Sequence, residues 1–220
     1  MPVSRSDVVD SELAAYIAAH STAPDDVQRR LMTATEERTG GAARMQIGGD
    51  QGTLFEIITS AISARTAIEI GTFTGYSALS IARGLGAEGR LICCDVSEEW
   101  TDIAREHWQL AGVADRIDLR IGPALDTLAE LPADQLFDLA FIDADKSNYI
   151  HYFEALLPRI RPNGIILVDN TLWSRQVLDP DATERDTIAL RAFNQAVAAD
   201  PRVRCTIIPM GDGVTIIQPR

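Results

Sequence analysis

Two apolar runs in this chain end abruptly in oxygen-bearing side chains. Residues 136–142 are apolar apart from Asp138 and lead into Asp143, Asp145 and Lys146; residues 164–168 lead into Asp169 and Asn170. Buried parallel strands read as runs of this kind, and open α/β sheets hold their ligands at the carboxyl ends of strands, so both endings point to one shared site. Asp143, Asp169 and Asn170 offer two carboxylates and an amide carbonyl. That donor set suits a hard cation, Mg²⁺ first, with Mn²⁺ or Ca²⁺ as alternatives. Zinc would call for imidazole or thiolate. The plainer alternative is that strand-end Asp and Asn residues only cap the turns that follow them. Lys146 comes three residues after Asp143. Beside a bound cation its ammonium form is disfavoured, which suits it to act as a general base; otherwise it is a solvated lysine at a helix start.

A second set of candidates lies upstream. Glu69-Ile-Gly-Thr-Phe-Thr-Gly75 sits between an apolar run and an amphipathic segment, where backbone can approach a ligand closely. A dinucleotide fingerprint would need glycine at positions 73 and 76, which are Phe73 and Tyr76. Glu69 could accept from a cationic amine, and Asp95, farther along, could take the two hydroxyls of a ribose. A ligand with a positive amino-acid end and an adenosine end satisfies both acids, and S-adenosylmethionine is such a ligand. The alternative is that Gly71 and Gly75 merely permit tight strand–helix packing, with both acids at a solvated edge.

The remaining chemistry-bearing residues compete poorly. His20, His107 and His151 fall within helical patterns and read as structural or surface residues. Trp100 and Trp108 read as packing, whereas Trp173, just after Asp169 and Asn170, could wall a flat substrate. The segment from Ser174 to Arg185 is charged, with Arg175, Asp179 and Asp181, and reads as the polar rim of a substrate mouth.

These residues need a scaffold, and the hydrophobic rhythm supplies one. Residues 1–64 read as helical, with Asp7, Ser11 and Asp25 as start residues. From Thr66 short apolar runs alternate with amphipathic segments, the signature of βαβ units. The runs are 66–70, 90–95, 117–121, 136–142 and 164–168, and a helix is expected over 146–160, ending at Pro162. Two last runs, 204–208 and 214–218, are separated by only five residues, which fits a hairpin and is too short for a parallel crossover. The expected fold is α/β and Rossmann-like: a seven-stranded, mostly parallel sheet with an antiparallel last strand, helices on both faces and extra N-terminal helices. The whole chain, 1–220, reads as a single domain, with 1–64 as a helical segment and 65–220 as the core.

Composition excludes several classes. The net charge of −12 argues against nonspecific binding to nucleic acid or anionic membrane. No apolar run approaches the roughly 20 residues of a membrane span. Cys93, Cys94 and Cys205 are too few and wrongly spaced for a zinc site or disulfide framework, and a reducing cytoplasm fits best. Cys93 and Cys94, adjacent on a strand, should point to opposite faces.

Taken together, 69–77, 141–146 with Tyr149, 169–173 and Gly211-Asp-Gly213 resemble the cation-dependent O-methyltransferases that include caffeoyl-coenzyme A O-methyltransferase and, more distantly, catechol O-methyltransferase. The resemblance spans roughly residues 43–220. It implies backbone contact from Ile47 to the methyl donor, with Glu69, Gly71, Thr72 and Ser77 around its methionine part. It places Asp95 at the ribose and Ala124 near the adenine. Asp143, Asp169 and Asn170 are the implied metal ligands, with Asp143 and Asp145 also near donor or substrate, and Lys146 is the implied base. Lys146, Trp173 and Ser174 are the expected substrate contacts. Gln51 departs from the pattern, since relatives often carry an acid there. The implied activity is methyl transfer to one hydroxyl of a vicinal aromatic diol, in a chain whose relatives are commonly homodimers. A nicotinamide-dependent oxidoreductase and a noncatalytic S-adenosylmethionine-binding module are the rival readings. Phe73 and Tyr76 disfavour the first, and the retention of Lys146 with all three ligand residues disfavours the second.

Overall fold

The structure, a computed structural model, describes residues 10–220; the helix start expected at Asp7 lies outside them. The first helix, α1 (Ser11–Ala19), is capped by Asp10, whose carboxylate accepts from the Glu12 and Leu13 amides, so the cap lies one residue before the expected Ser11. Helix α2 (Asp26–Thr39) begins at Asp25 with a reciprocal capping box to Gln28. Helix α3 (Gly49–Ala61) follows.

The alternating part then runs β1 (Thr66–Ile70), α4 (Tyr76–Gly84), β2 (Arg90–Asp95), α5 (Glu98–Leu110), β3 (Ile117–Ile121), α6 (Ala124–Glu130), β4 (Phe137–Ile142), α7 (Tyr149–Leu156), β5 (Ile160–Val168), α8 (Arg185–Ala199), β6 (Val203–Ile208) and β7 (Val214–Pro219). The strand order is β3-β2-β1-β4-β5-β7-β6. β7 pairs antiparallel with both β5 and β6, so it inserts between them as the reversed strand. The hairpin and the antiparallel last strand are as expected.

Two boundaries differ by more than one residue. The single helix expected over 146–160 is a 3-10 turn (Lys146–Asn148), then α7, then a second 3-10 turn (Leu157–Arg159) that carries Pro158. Strand β5 starts at Ile160 rather than Gly164. Its pairing with β4 jumps from Phe137↔Ile160 to Leu139↔Ile165, so Pro162 lies in the irregular stretch where a missing N–H loses no ladder bond. Helix α6 was not anticipated; seven residues give little periodicity to read.

The sheet separates two apolar clusters. One joins Ile68, Ile70 and Cys94 to α6, α7 and α8 through Leu128, Phe153, Leu156, Leu190 and Phe193. The other joins Ala67, Cys93 and Phe141 to α2–α5 through Leu31, Phe55, Leu79, Ile103 and Trp108. Cys93 and Cys94 therefore do face opposite ways. Glu69 alternates with Ile68 and Ile70 and is paired in register with Cys93 and Phe141, so its carboxylate points into the second cluster. Among the described residues no helix is long and apolar enough to cross a membrane.

Candidate active site

The ends of β1, β4 and β5 are knitted together just beyond their ladders. The Asp143 amide donates to Ile70 O at 2.8 Å, and the Asp169 amide to Ile142 O at 3.0 Å. Gly71 has φ +88°, and a Cβ there would lie 1.9 Å from Asp143 O. Only glycine lets the loop after β1 cross this closely over the start of the acidic cluster.

Lys146 is the centre of the cluster. Its Nζ donates to Asp143 Oδ1 at 2.9 Å, to Asn170 Oδ1 at 2.7 Å and to Tyr149 Oη at 2.7 Å. Three acceptors match the three donors of an ammonium, and the residue is only 8% exposed. Tyr149 donates in turn to Asp169 O at 3.2 Å, tying the lysine to β5. Asp169 is 4% exposed, and burial followed by the neighbouring Asp143 pushes its carboxyl pKa up to about 7. The Asn170 amide, 2.8 Å from Asp169 Oδ1, offsets part of this.

Among the described residues no three His, Cys, Asp or Glu side chains are grouped to hold a metal. The expected set differs from such a group in having two carboxylates and an amide. It does fit a cation, because a positive group already sits between Asp143 and Asn170, and Asp169 beside them is under-compensated. All the donors are hard oxygens.

On the β1–β2 side, Glu69 is fully buried and burial pushes its pKa up to about 8. Cys93 Sγ lies 3.4 Å from its Oε2. Ser77 and Thr72 lie close enough to moderate the shift, yet Glu69 Oε1 and Thr72 Oγ1 have no hydrogen-bond partner among the described residues. A buried carboxylate oxygen with no donor fits a cationic amine delivered by a ligand.

Asp95 has a prior task. Its Oδ2 accepts from the Thr72 and Phe73 amides at 2.8 and 2.7 Å, and Oδ1 from the Ser97 amide at 2.8 Å. It shapes the glycine loop, in which Phe73 holds φ +52°, and keeps lone pairs for a further donor. The Gly122 amide donates to Asp95 O at 2.9 Å, which brings Ala124, at the start of α6, beside the same strand end. Ile47 is buried in the cluster that holds Tyr76 and Trp108. Gly75 does serve packing, since with φ +82° a Cβ would meet Ala104 and Trp108 within 3 Å, but Glu69 is buried and not at a solvated edge. Asp145 is turned onto α7, accepting from Tyr152 Oη and Asn148 Nδ2, both at 2.6 Å.

The far side is built by residues after Asn170. The Trp173 ring centroid lies 5.7 Å from Lys146 Nζ. Ser174 is exposed, and its amide donates to Asp212 Oδ1 in the β6–β7 turn. Two residues contribute here in ways their types do not reveal. Tyr149, to which the sequence assigns no role beyond its place in the motif with 141–146, accepts from Lys146 through its hydroxyl. Gln51 is buried beside Asp169 and lowers that carboxyl's pKa, where an acid would have added a further negative charge. His107, as expected, is structural, with Nδ1 2.8 Å from Ile103 O.

The family model described as O-methyltransferase matches residues 18–219. The chain belongs to the O-methyltransferase family. This O-methyltransferase is 40% identical over 206 residues to "Probable caffeoyl-CoA O-methyltransferase 2" of Dictyostelium discoideum, covering 92% of this chain and 89% of that one. It is 38% identical over 182 residues to caffeoyl-CoA O-methyltransferase 1 of Arabidopsis thaliana, with 78% and 70% covered. The O-methyltransferase of Bacillus cereus, solved in complex with SAH, superposes with a TM-score of 0.86 at 30% identity, covering 95% of this chain and 97% of that one. The protein is therefore an S-adenosylmethionine-dependent O-methyltransferase of the caffeoyl-CoA type. The nicotinamide reading falls away with this.

Proposed function

We propose that this O-methyltransferase acts on one hydroxyl of a vicinal dihydroxy aromatic, with a divalent cation, Mg²⁺ by preference, at Asp143, Asp169 and Asn170 and with Lys146 as the base. One observation carries the reading: the Lys146 ammonium sits between two of the three hard-oxygen donors, next to a third whose charge is under-compensated. When bound, the cation would supply Lewis acidity to the acceptor's oxygens and positive charge beside Lys146. Lys146 would then retain Tyr149 as its own partner and, as the neutral amine, take the acceptor's proton at Nζ. Glu69 would hold the donor's ammonium and Asp95 its ribose, with Ile47, Gly71, Thr72, Ser77, Ala124 and Asp145 around the rest. The methyl passes from sulfur to oxygen as the C–S bond breaks and the C–O bond forms. These side chains contribute alignment and exclusion of water rather than covalent chemistry.

Trp173 and Ser174 border the acceptor in this reading, and two adjacent oxygens on a flat ring suit a site with an aromatic wall and a cation. The caffeoyl group named in the relatives carries such a pair. Neither nucleic acid nor membrane is a partner in this reading; the enzyme works in the cytoplasm as a homodimer.

The test is a mass-spectrometric screen of aromatic acceptors with isotope-labelled methyl donor. Vicinal diols should be methylated once, while phenols with a single hydroxyl stay unmodified. Equal methylation of lone phenols would contradict the two-oxygen reading.

A further inference from the structure

The segment after Asn170 is held from outside, by one face of α8. Arg191 Nε donates to Val177 O at 3.1 Å, and one terminal nitrogen to Ala182 O at 2.9 Å. The other terminal nitrogen donates to Gln176 O at 3.0 Å and to Asp179 O. These four acceptors are all backbone carbonyls of a single short segment. Asn194 Nδ2 donates to Thr171 O at 2.7 Å, and Thr187 Oγ1 to Gln176 Oε1 at 3.0 Å. Positions 187, 191 and 194 recur at helical spacing and so share one face of α8.

The residues between the Asn194 anchor at Thr171 and the Arg191 anchor from Gln176 onward would not keep their shape unaided. Trp173, Ser174 and Arg175 have φ of 47°, 47° and 65°. Backbone in this region persists only where its surroundings over-determine it. Apolar anchoring is partial, since Val177 packs against the core but Leu178 is 71% exposed. A rigid guanidinium fork, whose donors lie in one plane, is the group best suited to fix several carbonyls at once.

We infer that Arg191 is the positioning residue of the acceptor mouth. It touches neither acceptor nor donor; it fixes residues 176–182 directly, closes off 173–175 together with Asn194, and through them sets acceptor affinity. Donor binding is left alone, because Glu69, Thr72 and Asp95 are carried by β1, β2 and the loop between β1 and α4. The inference rests on the proposal that this segment borders the acceptor.

The test compares Arg191→Gln and Arg191→Lys with the wild type, using catechol as acceptor. Three quantities are read: the KM for catechol, the calorimetric dissociation constant for S-adenosylmethionine, and amide hydrogen exchange across 173–182. Arg191→Gln should raise the catechol KM about tenfold or more and leave donor affinity within about twofold. Exchange at Arg175, Asp179 and Ala182 should quicken while β1 and β4 stay protected. Arg191→Lys should fall between, since a point ammonium cannot span four carbonyls. An unchanged KM, or donor affinity falling in step with KM, overturns the inference. If Arg191→Gln does not fold, the lysine variant decides by the same criteria. If the wild type methylates no diol, the proposed function fails, and exchange still decides the anchor: equal rates in wild type and variant refute it.

Discussion

Lys146 Nζ and Asn170 Oδ1 lie 2.7 Å apart across the gap between the ends of β4 and β5. The same ammonium holds Asp143 at 2.9 Å, so one positive group joins residues from both strand ends. The resident lysine thus occupies the space between candidate cation ligands, and its removal should separate chemistry from binding. Lys146→Ala should lower kcat by about 10²–10⁴-fold, the range of a lost general base, and leave S-adenosylmethionine affinity nearly unchanged. Steady-state kinetics with calorimetry checks this; a parallel loss of donor affinity would make Lys146 a structural residue.

Glu69 gives a pH dependence of definite sign. Burial raises its pKa from 4.5 to about 8, so between those values the folded protein holds a proton that the unfolded chain has released. The stability from this group is present at low pH and declines as pH rises through that window. Asp169, raised from 3.8 to about 7, acts in the same direction. Thermal midpoints of the donor-free protein should fall from about pH 6 to about pH 8.5, and Glu69→Gln should flatten part of the slope. A slope identical in the variant would place the titration elsewhere.

Gly71 and Gly112 make a controlled pair. Both have positive φ, +88° and +67°, but a Cβ at 71 would strike Asp143 O while one at 112 meets nothing within 4 Å. Gly112→Ala should cost about 1–2 kcal/mol, from backbone conformation alone. Gly71→Ala should destabilise more and also displace Asp143, abolishing most activity. Chemical denaturation of both variants tests this, and equal losses would mean that the close crossing carries no weight.

Asp95 should report on the donor alone. Its carboxylate receives the Thr72 and Phe73 amides, and hydrogen bonds to a charged group are worth about 1.5–3 kcal/mol each. Asp95→Ala should therefore weaken S-adenosylmethionine binding by at least about tenfold and leave the acceptor KM close to wild type. A change confined to the acceptor KM would contradict the placement.

Much of this candidate site is legible in the sequence because its residues violate their surroundings. Glu69 is an acid inside an apolar strand, and Asp143 and Asp169 end otherwise apolar runs. The fold followed from the same alternation. What stayed hidden depends on partners with no residue-type signature. Arg191 binds backbone carbonyls, which every residue carries. Asp95 reads as a ligand acid, and nothing in its identity reveals that it first organises the Thr72–Phe73 backbone. Tyr149 fits the apolar face of α7, and only its hydroxyl's position beside Lys146 gives it a second role. The sequence places the start of β5 at Gly164 because Pro162 marks a break in isolation, whereas it lies in an irregularity of the β4–β5 pairing.

The most direct measurement is turnover of catechol with labelled S-adenosylmethionine in excess chelator, followed by addition of Mg²⁺. Activity should vanish with chelator and return with Mg²⁺ in the wild type, and Asp169→Ala should show no recovery. Full turnover in excess chelator would contradict the assignment of Asp143, Asp169 and Asn170 as a cation site.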